Sequence, residues 1–562
     1  MSSILNFSPD ELELYLLDFK EGNEFKIYED KKIPHLKCLG LDAMQEFGES
    51  VLQSLWEELE RRNKLFAEAS RSGQDIKDIT AYREAGYKMP RILVIMDEFQ
   101  VLFDTNHNKN VAYRAAAKMS DFVSRGRVYG IHFLLATQTL KKIFETSSLY
   151  KGTLEEMHIR IGLQCTEDEF VRLMGDDNAK KCTYKSEKKK GYGIYLENDI
   201  VSEPISMQVA YLESDAQKEL LAMVENDYED FEDTEKNIYT FKREESPVIS
   251  KTDIENMNAN NSGIVIGEPI GMGERIAIKI GKKKKSDMLI VGEKQESIDN
   301  IAIVWIQQVL AYVRMVQYKR LYLFDGSIMI DEPPLIEEDI YMKNQSGMVL
   351  VDNIFRVLIT IDELYNIFTE RKQRMMHGIR KPEDNEIIYV VVSNYQWIEP
   401  MIRVMEQRDV SEFEEMNMEF PDVEVNNDKP APSTDDPFAL VNSMMDDLNE
   451  ELHSMGMAEQ SNTGKGKKIS YSKKLKTMLT SGYFCGMHFM FTCQDASYMK
   501  RLGSSELSVF HNRILFKSPS KDTYAIIDTS VDLEKMDDNM AVFSDGVNEP
   551  ELFRPYLWVK KD

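Results

Sequence analysis

The sequence predicts an α/β protein made of two tandem units, each built on a mainly parallel sheet. Three observations point there. Five blocks recur in the same order along the chain, which marks an internal repeat. The blocks alternate short apolar runs of strand length with helical patterns, the signature of a parallel sheet with helical crossovers. Hydrophobic residues make up 42% of the 562 residues, enough to build two sizeable cores and to exclude a chain that is disordered throughout.

The first block is Leu14–Asp18 (LYLLD), repeated as Leu321–Asp325 (LYLFD), an apolar strand ending in Asp. The second is a long helical pattern, Ser50–Phe66 and then Val357–Met375, with apolar residues every three or four positions and arginines toward the end, where they suit the helix dipole. The third is a buried-strand run, RILVIMDEFQVLF from Arg91 and EIIYVVVSNYQWI from Glu386. The fourth is GIHFLLATQ (Gly130–Gln138), matched by GMHFMFTCQ (Gly486–Gln494); the fifth is HIRIGL (His158–Leu163), matched by HNRILF (His511–Phe516). His132 and its repeat His488 are expected to pack between strands rather than to act chemically. The acidic run NDYEDFEDTEKN and the turn-rich NMNANNSG place the boundary near 225–260, giving units of 1–240 and 241–562. The second unit carries an acidic, Pro- and Ser-containing insertion at about 400–468, expected to be mostly disordered around one short amphipathic docking helix (FALVNSMMDDLNEELHSM).

The totals exclude several classes. A net charge of −27 disfavours a protein that coats DNA through its overall field, although a motor can still meet DNA through a few lysines. The lysine runs at 188–190, 282–285 and 465–468 read as solvated loops. The first residues lack the basic flank and cleavage site of a signal peptide, and no apolar run is long enough to span a bilayer. Five cysteines, none in a CxxC pair, read as reduced thiols of a cytoplasmic protein without a zinc site.

Chemistry concentrates at two strand ends in the first unit. ILVIMDE ends in Asp97 and Glu98, the place where a carboxylate can hold a Mg²⁺ shell and a second can polarise water. GIHFLLATQ ends in Thr137 and Gln138, an amide able to sense a γ-phosphate. With DFKEG (Asp18–Gly22), IPHL (Ile33–Leu36), ELERRNKLF and GRVYGIHFLLATQ (Gly126–Gln138), these residues resemble the FtsK/SpoIIIE motor domain of the HerA–FtsK superfamily, in order across about residues 10–215. The resemblance implies two RecA-like P-loop-type domains, ATP and Mg as cofactors, and self-association into a ring, expected to be a hexamer. It implies double-stranded DNA as the cargo or, in type VII secretion relatives, protein. It assigns Asp97 and Glu98 to the Mg²⁺ and water-activating motif and Gln138 to the sensor. Arg160 becomes a trans-acting arginine finger and Arg127 a basic position ahead of the sensor strand.

The phosphate-binding motif GxxxxGK[ST] does not occur. In the second unit its frame survives as DMLIVGEKQESID, with Gly292 in place but Ser297 for the second Gly, Ile298 for the Lys and Asp299 for the Ser/Thr. Ser393 and Asn394 stand in for Asp97 and Glu98, so this unit is expected to be a pseudo-ATPase. In the first unit the same spacing ahead of Leu14 falls upstream of Met1. The expectation is a chain cut inside its first motor domain, with the loop and any membrane anchor in a missing N-terminal segment. The sequence favours first a subunit that translocates double-stranded DNA, second a type VII-like protein-export ATPase, and third a non-catalytic scaffold or adaptor.

Overall fold

The computed structural model describes all of the chain except residues 21–23, 141–155, 182–190, 198–202, 229–237, 259–262, 280–285, 316–319, 331, 345–346, 380, 408–468, 504–506, 519–524, 530 and 560–562. The acidic insertion expected at 400–468 lies almost wholly outside the described residues, as do the three lysine runs. The chain divides into two compact units: Met1–Glu245 with Ile270–Gly273, and Ser246–Pro269 with Glu274–Asp562.

In the first unit, β1 (Leu12–Asp18), β2 (Leu36–Leu41), β3 (Arg91–Asp97), β4 (Ile131–Leu135) and β8 (Tyr239–Lys242) form one sheet in the order β4-β3-β1-β2-β8. Every pairing is parallel, so all the strand carboxyl ends lie on one edge. Leu14, Leu16, Leu36, Leu39 and Leu41 build a core with Leu221 and Val224. The helices Gln45–Arg71 and Lys109–Arg125 cover the sheet as well, with Trp56 edge-on to Phe122 at 6.0 Å and Phe47 stacked on Phe241 at 4.5 Å. A separate antiparallel sheet holds β5 (Ile159–Gly162), β6 (Tyr192–Glu197) and β7 (Ile205–Gln208).

The second unit begins with β9 (Val248–Ile249), which pairs with its last strand, β20 (Leu557–Trp558). Its main sheet has ten strands: β10 (Ile264–Pro269), β11 (Ile276–Ile278), β12 (Met288–Val291), β13 (Arg320–Asp325), β14 (Met348–Val351), β15 (Ile388–Ser393), β16 (Met487–Cys493), β17 (Asn512–Phe516), β18 (Ala541–Ser544) and β19 (Glu551–Pro555). Their order is β11-β10-β19-β18-β17-β12-β16-β15-β13-β14. The block β16-β15-β13-β14 reproduces β4-β3-β1-β2 strand for strand, and β17-β18-β19 reproduces the antiparallel β5-β6-β7. What differs is β12, which pairs parallel with both β16 and β17 and so fuses the two blocks into one sheet. Among the described residues of the first unit no strand takes that place.

The repeat extends to a buried arginine clasp. The first long helix runs on to Arg71, so Arg62 lies in its interior and not at the dipole end that the sequence pattern suggested. Its side chain is 1% exposed, bound to Glu58 at 2.7 Å and donating to Tyr129 O at 2.8 Å. Arg371 in the helix Ile354–Met376 donates in the same way to Cys485 O at 2.9 Å and Glu386 O at 2.8 Å. Each guanidinium satisfies the carbonyl just before the glycine that opens β4 or β16, a buried acceptor that would otherwise be unpaired.

Candidate functional site

The carboxyl ends of β1, β3 and β4 bring the first unit's polar residues together. Asp18 and Asp97 are register partners at the ends of β1 and β3. Asp18 is buried and spends its carboxylate on its own loop, accepting from Lys20 N at 2.8 Å and Glu24 N at 3.1 Å. Burial, and next the Asp18 charge, raise the pKa of Asp97 above the usual carboxylate range. A cation bound at the Asp97 carboxylate would reverse that, and a carboxylate is a donor of the kind a hard divalent ion takes.

Glu98 sits in the left-handed backbone region at φ 50° and ψ 40°, with 3% of its surface exposed. That conformation costs a non-glycine residue about 1 kcal/mol. It turns the carboxylate to the strand end, where Gln100 Nε2 donates to it, Lys20 Nζ lies 3.9 Å away and the Gln138 backbone N–H is 3.4 Å off. Gln100 in turn accepts from Thr137 Oγ1 at 2.5 Å, which ties the ends of β3 and β4 together. Lys20 Nζ also reaches Gln138 Oε1 at 3.4 Å. Asp97, Glu98 and Gln138 therefore stand side by side, and Gln100 is a fourth member that sequence reasoning missed. Its signal was in the repeat, because Gln396 follows Asn394 as Gln100 follows Glu98.

Two of the arginines are not brought to this edge. Arg127 is exposed in the short 3₁₀ turn that precedes β4, at the strand's amino end. Arg160 lies in β5, and its guanidinium donates to Met157 O and Leu173 O, both at 3.1 Å. Arg513 makes the equivalent bonds in β17, to Phe510 O at 2.8 Å, to Ile526 O, and to Leu507 O at 3.1 Å. His132 also departs from expectation. It is exposed, because β4 ends its sheet, whereas His488 in β16 is 1% exposed between β12 and β15.

The second unit keeps the frame and changes the chemistry. Asp325 braces its loop as Asp18 does, accepting from Ser327 N at 3.1 Å and Leu335 N at 2.8 Å. Asn394 adopts the left-handed conformation of Glu98, at φ 55°, and Gln396 Nε2 donates to it at 3.3 Å. Ser393 takes the place of Asp97 as the register partner of Asp325. After β12 the helix Gln295–Met315 begins four residues beyond Val291, so Ser297, Ile298 and Asp299 fall within its first five residues and not in an open loop. Ile298 is fully buried in the core with Ile301, Ala302 and Trp305, and a methyl added at Gly292 would meet Phe516 Cβ at 2.5 Å.

A parallel α/β sheet with a buried carboxylate pair at its carboxyl edge belongs to the P-loop ATPase class of fold. Residues 1–142 match the FtsK/SpoIIIE family, and this part of the chain is an FtsK/SpoIIIE-family domain. The ESX-5 secretion system protein EccC5 of Mycobacterium tuberculosis is 27% identical over 187 residues, 32% of this chain and 12% of that protein. The DNA translocase FtsK of Helicobacter pylori is 31% identical over 168 residues, 29% of this chain and 18% of its own length. These matches thus span less than a fifth of either relative. In fold, ATPases 2 and 3 of Thermomonospora curvata EccC, solved with a signal sequence peptide, match 100% of this chain and 84% of that one, with a TM-score of 0.53 at 12% identity. Among the described residues no helix is long and apolar enough to cross a membrane.

Proposed function

We propose that the first unit is the hydrolytic half of an ATP-driven FtsK/SpoIIIE-type motor, that the second unit has given up nucleotide hydrolysis, and that the cargo is a polypeptide. The observation that carries the reading is the convergence of Asp97, Glu98 and Gln138 at one strand edge, with Glu98 held in a strained backbone and oriented by Gln100. In this reading Asp97 holds Mg through water, Glu98 polarises the attacking water and Gln138 contacts the γ-phosphate. The second unit presents Ser393 and Asn394 there, and Ile298 is buried where a phosphate-binding lysine would reach out. The relationship to EccC5, the fold shared with EccC along the whole chain and the −27 net charge favour polypeptide. The relationship to FtsK is the observation that favours double-stranded DNA as the second reading. Ring assembly, expected to be hexameric, is part of the same proposal.

The phosphate clamp is not encoded in these 562 residues, so this chain by itself is proposed to hydrolyse no ATP. The free side of β4 is the place for a loop-bearing strand, as β12 adds to the matching β16 in the second unit. Phosphate release is measured for the chain alone and for a fusion carrying an apolar strand–GxxxxGK[ST]–helix segment ahead of Met1. Background turnover alone, and turnover in the fusion that Glu98→Gln abolishes without loss of nucleotide binding, is the expected result. Fusion turnover indifferent to Glu98→Gln would remove Glu98 from the chemistry, and turnover by the unfused chain would require another phosphate clamp. Stimulation by double-stranded DNA in preference to unfolded polypeptide would replace the cargo assignment.

A further inference from the structure

The carboxylate lost at Ser393 has a counterpart elsewhere in the same unit. In the first unit two aspartates, Asp18 and Asp97, face each other in register. In the second, Asp325 faces Ser393, but Asp299 comes from the fifth position of the helix Gln295–Met315. The alternation of strand side chains puts Asp325 and Ser393 on one face, and Asp299 lies near enough for the Asp325 charge to act on it. Leu321 and Leu323 of β13, and Tyr389 and Val391 of β15, pack in one core with Ile298, Ile301 and Ala302 of that helix. Asp325 and Ser393 are the next members of those two files, at the strand ends beside the helix start.

Two features of this cluster point to a ligand. Ser393 is 0% exposed, and its hydroxyl has no hydrogen-bond partner among the described residues. A buried hydroxyl left unpaired costs about 1–3 kcal/mol, so it calls for a partner. Neither Asp299 nor Asp325 forms an ion pair among the described residues, although Asp325 is fully buried; Gln295 Nε2 donates to Asp299 at 2.6 Å, and the backbone N–H groups of Ser327, Ile328 and Leu335 and the Ser327 hydroxyl donate to Asp325. Burial, and beyond it the Asp325 charge, push the pKa of Asp299 up to about 6 against the opposing Gln295 bond.

We propose that the second unit binds a divalent cation without nucleotide, through the carboxylates of Asp299 and Asp325 and the hydroxyl of Ser393. Two carboxylates and a hydroxyl are hard oxygen donors, with water to complete the shell as Mg²⁺ or Ca²⁺ requires. The ion neutralises the carboxylates of the buried Asp325 and the half-buried Asp299 and gives the Ser393 oxygen its partner. It fixes the start of the Gln295–Met315 helix to the ends of β13 and β15, a structural task that a bound nucleotide would perform in an active unit. This proposal does not depend on what the first unit does.

The test uses Mn²⁺ as the probe, followed by its electron paramagnetic resonance, on the full chain without nucleotide and in an Asp97→Asn background that weakens metal binding at the first unit's strand edge. One bound Mn²⁺ per chain is expected, displaced by Mg²⁺ or Ca²⁺ and weakened about 10-fold or more by Asp299→Asn and by Ser393→Ala. Asp325→Asn removes a loop brace as well and can fail to fold, so the first two variants decide. In parallel, Mg²⁺ against chelator is expected to raise the thermal midpoint of the second unit in the parent and leave it unchanged in Asp299→Asn. Absence of Mn²⁺ binding into the millimolar range, or binding indifferent to Asp299→Asn, overturns the proposal. So does an Asp299→Asn chain that gains stability at neutral pH while metal leaves the parent unaffected, because the two aspartates would then be sharing a proton.

Discussion

Asp287 gives the strongest quantitative prediction. It immediately precedes β12, is 2% exposed, and receives the Phe489 backbone N–H at 2.8 Å. Its backbone carbonyl is held from the other side by Asn512, which donates both its N–H and its side-chain amide at 3.2 Å. Burial dominates over the hydrogen bonds and pushes the carboxyl up to about 7. The unfolded value is about 3.9. The folded state therefore holds a proton that the unfolded chain has released, and stability falls as pH rises between those two values. The slope is about 1.4 kcal/mol per pH unit, for a total near 4 kcal/mol at most, with the curve flat again above the folded value. Asn keeps the acceptor oxygen and the shape but cannot ionise, so Asp287→Asn is expected to flatten this part of the profile and to stabilise the second unit at pH 8.

Tryptophan fluorescence isolates the effect. Of the four tryptophans only Trp56 lies in the first unit, so a Trp56→Phe background leaves Trp305, Trp397 and Trp558 as reporters of the second. Urea unfolding between about pH 5 and pH 8 should show the parent losing stability relative to Asp287→Asn by roughly 2–4 kcal/mol, with the gap opening as pH rises. Parallel profiles, or a gap that opens toward acid, would refute the reasoning and mean that the carboxylate is solvated or compensated in the fold.

Three further outcomes are expected. Glu98→Asn relieves a left-handed backbone with the residue type that already occupies the matching position at 394, and should stabilise the first unit by up to about 1 kcal/mol in urea melts while removing the proposed water-polarising group. Arg62→Ala and Arg371→Ala each leave buried carbonyls unpaired and should cost about 2–4 kcal/mol in their own units, the two losses adding in the double variant. Arg160→Ala should destabilise the first unit by about 1–3 kcal/mol through the loss of two carbonyl contacts and leave turnover in the loop-bearing fusion; loss of turnover that mixing with Glu98→Gln chains recovers would make Arg160 a finger acting across subunits.

The repeat was legible because its blocks are local. Apolar runs such as ILVIMD and LYLLD need only their neighbours in sequence to announce a buried strand, and their common order foretold that β4-β3-β1-β2 and β16-β15-β13-β14 would match. The outer half of the ten-stranded sheet was not legible. There Gly267 pairs with Pro555, a contact between β10 and β19 that is remote in sequence. Asp97, Glu98 and Gln138 could be named from strand ends alone. Gln100 could not be ranked without seeing that it bonds Glu98, and a charged side chain such as Arg160 does not reveal in the sequence that it faces backbone carbonyls of its own unit. The repeat sets Ile298 where a phosphate-binding lysine is expected, but its place in a closed helical turn depends on packing against Trp305 and its neighbours.

The two units also separate architecture from chemistry. Features present in both serve the fold, whatever else they do: the loop-bracing Asp18 and Asp325, the arginine clasp on the carbonyl before Gly130 and Gly486, the left-handed residue after β3 and β15, and the glutamine two positions on. The left-handed turn is informative because it is held by two residues with different aptitude for it. Asn adopts this conformation readily and Glu does not. A unit selected only for stability would carry Asn at both places, as it does at 394. Keeping Glu at 98 accepts a standing strain at one position, and the strain has a use only if the carboxylate does something there that an amide cannot. The retained cost at Glu98, set against its relief at Asn394, is a physical reason to assign the chemistry to the first unit and scaffolding to the second.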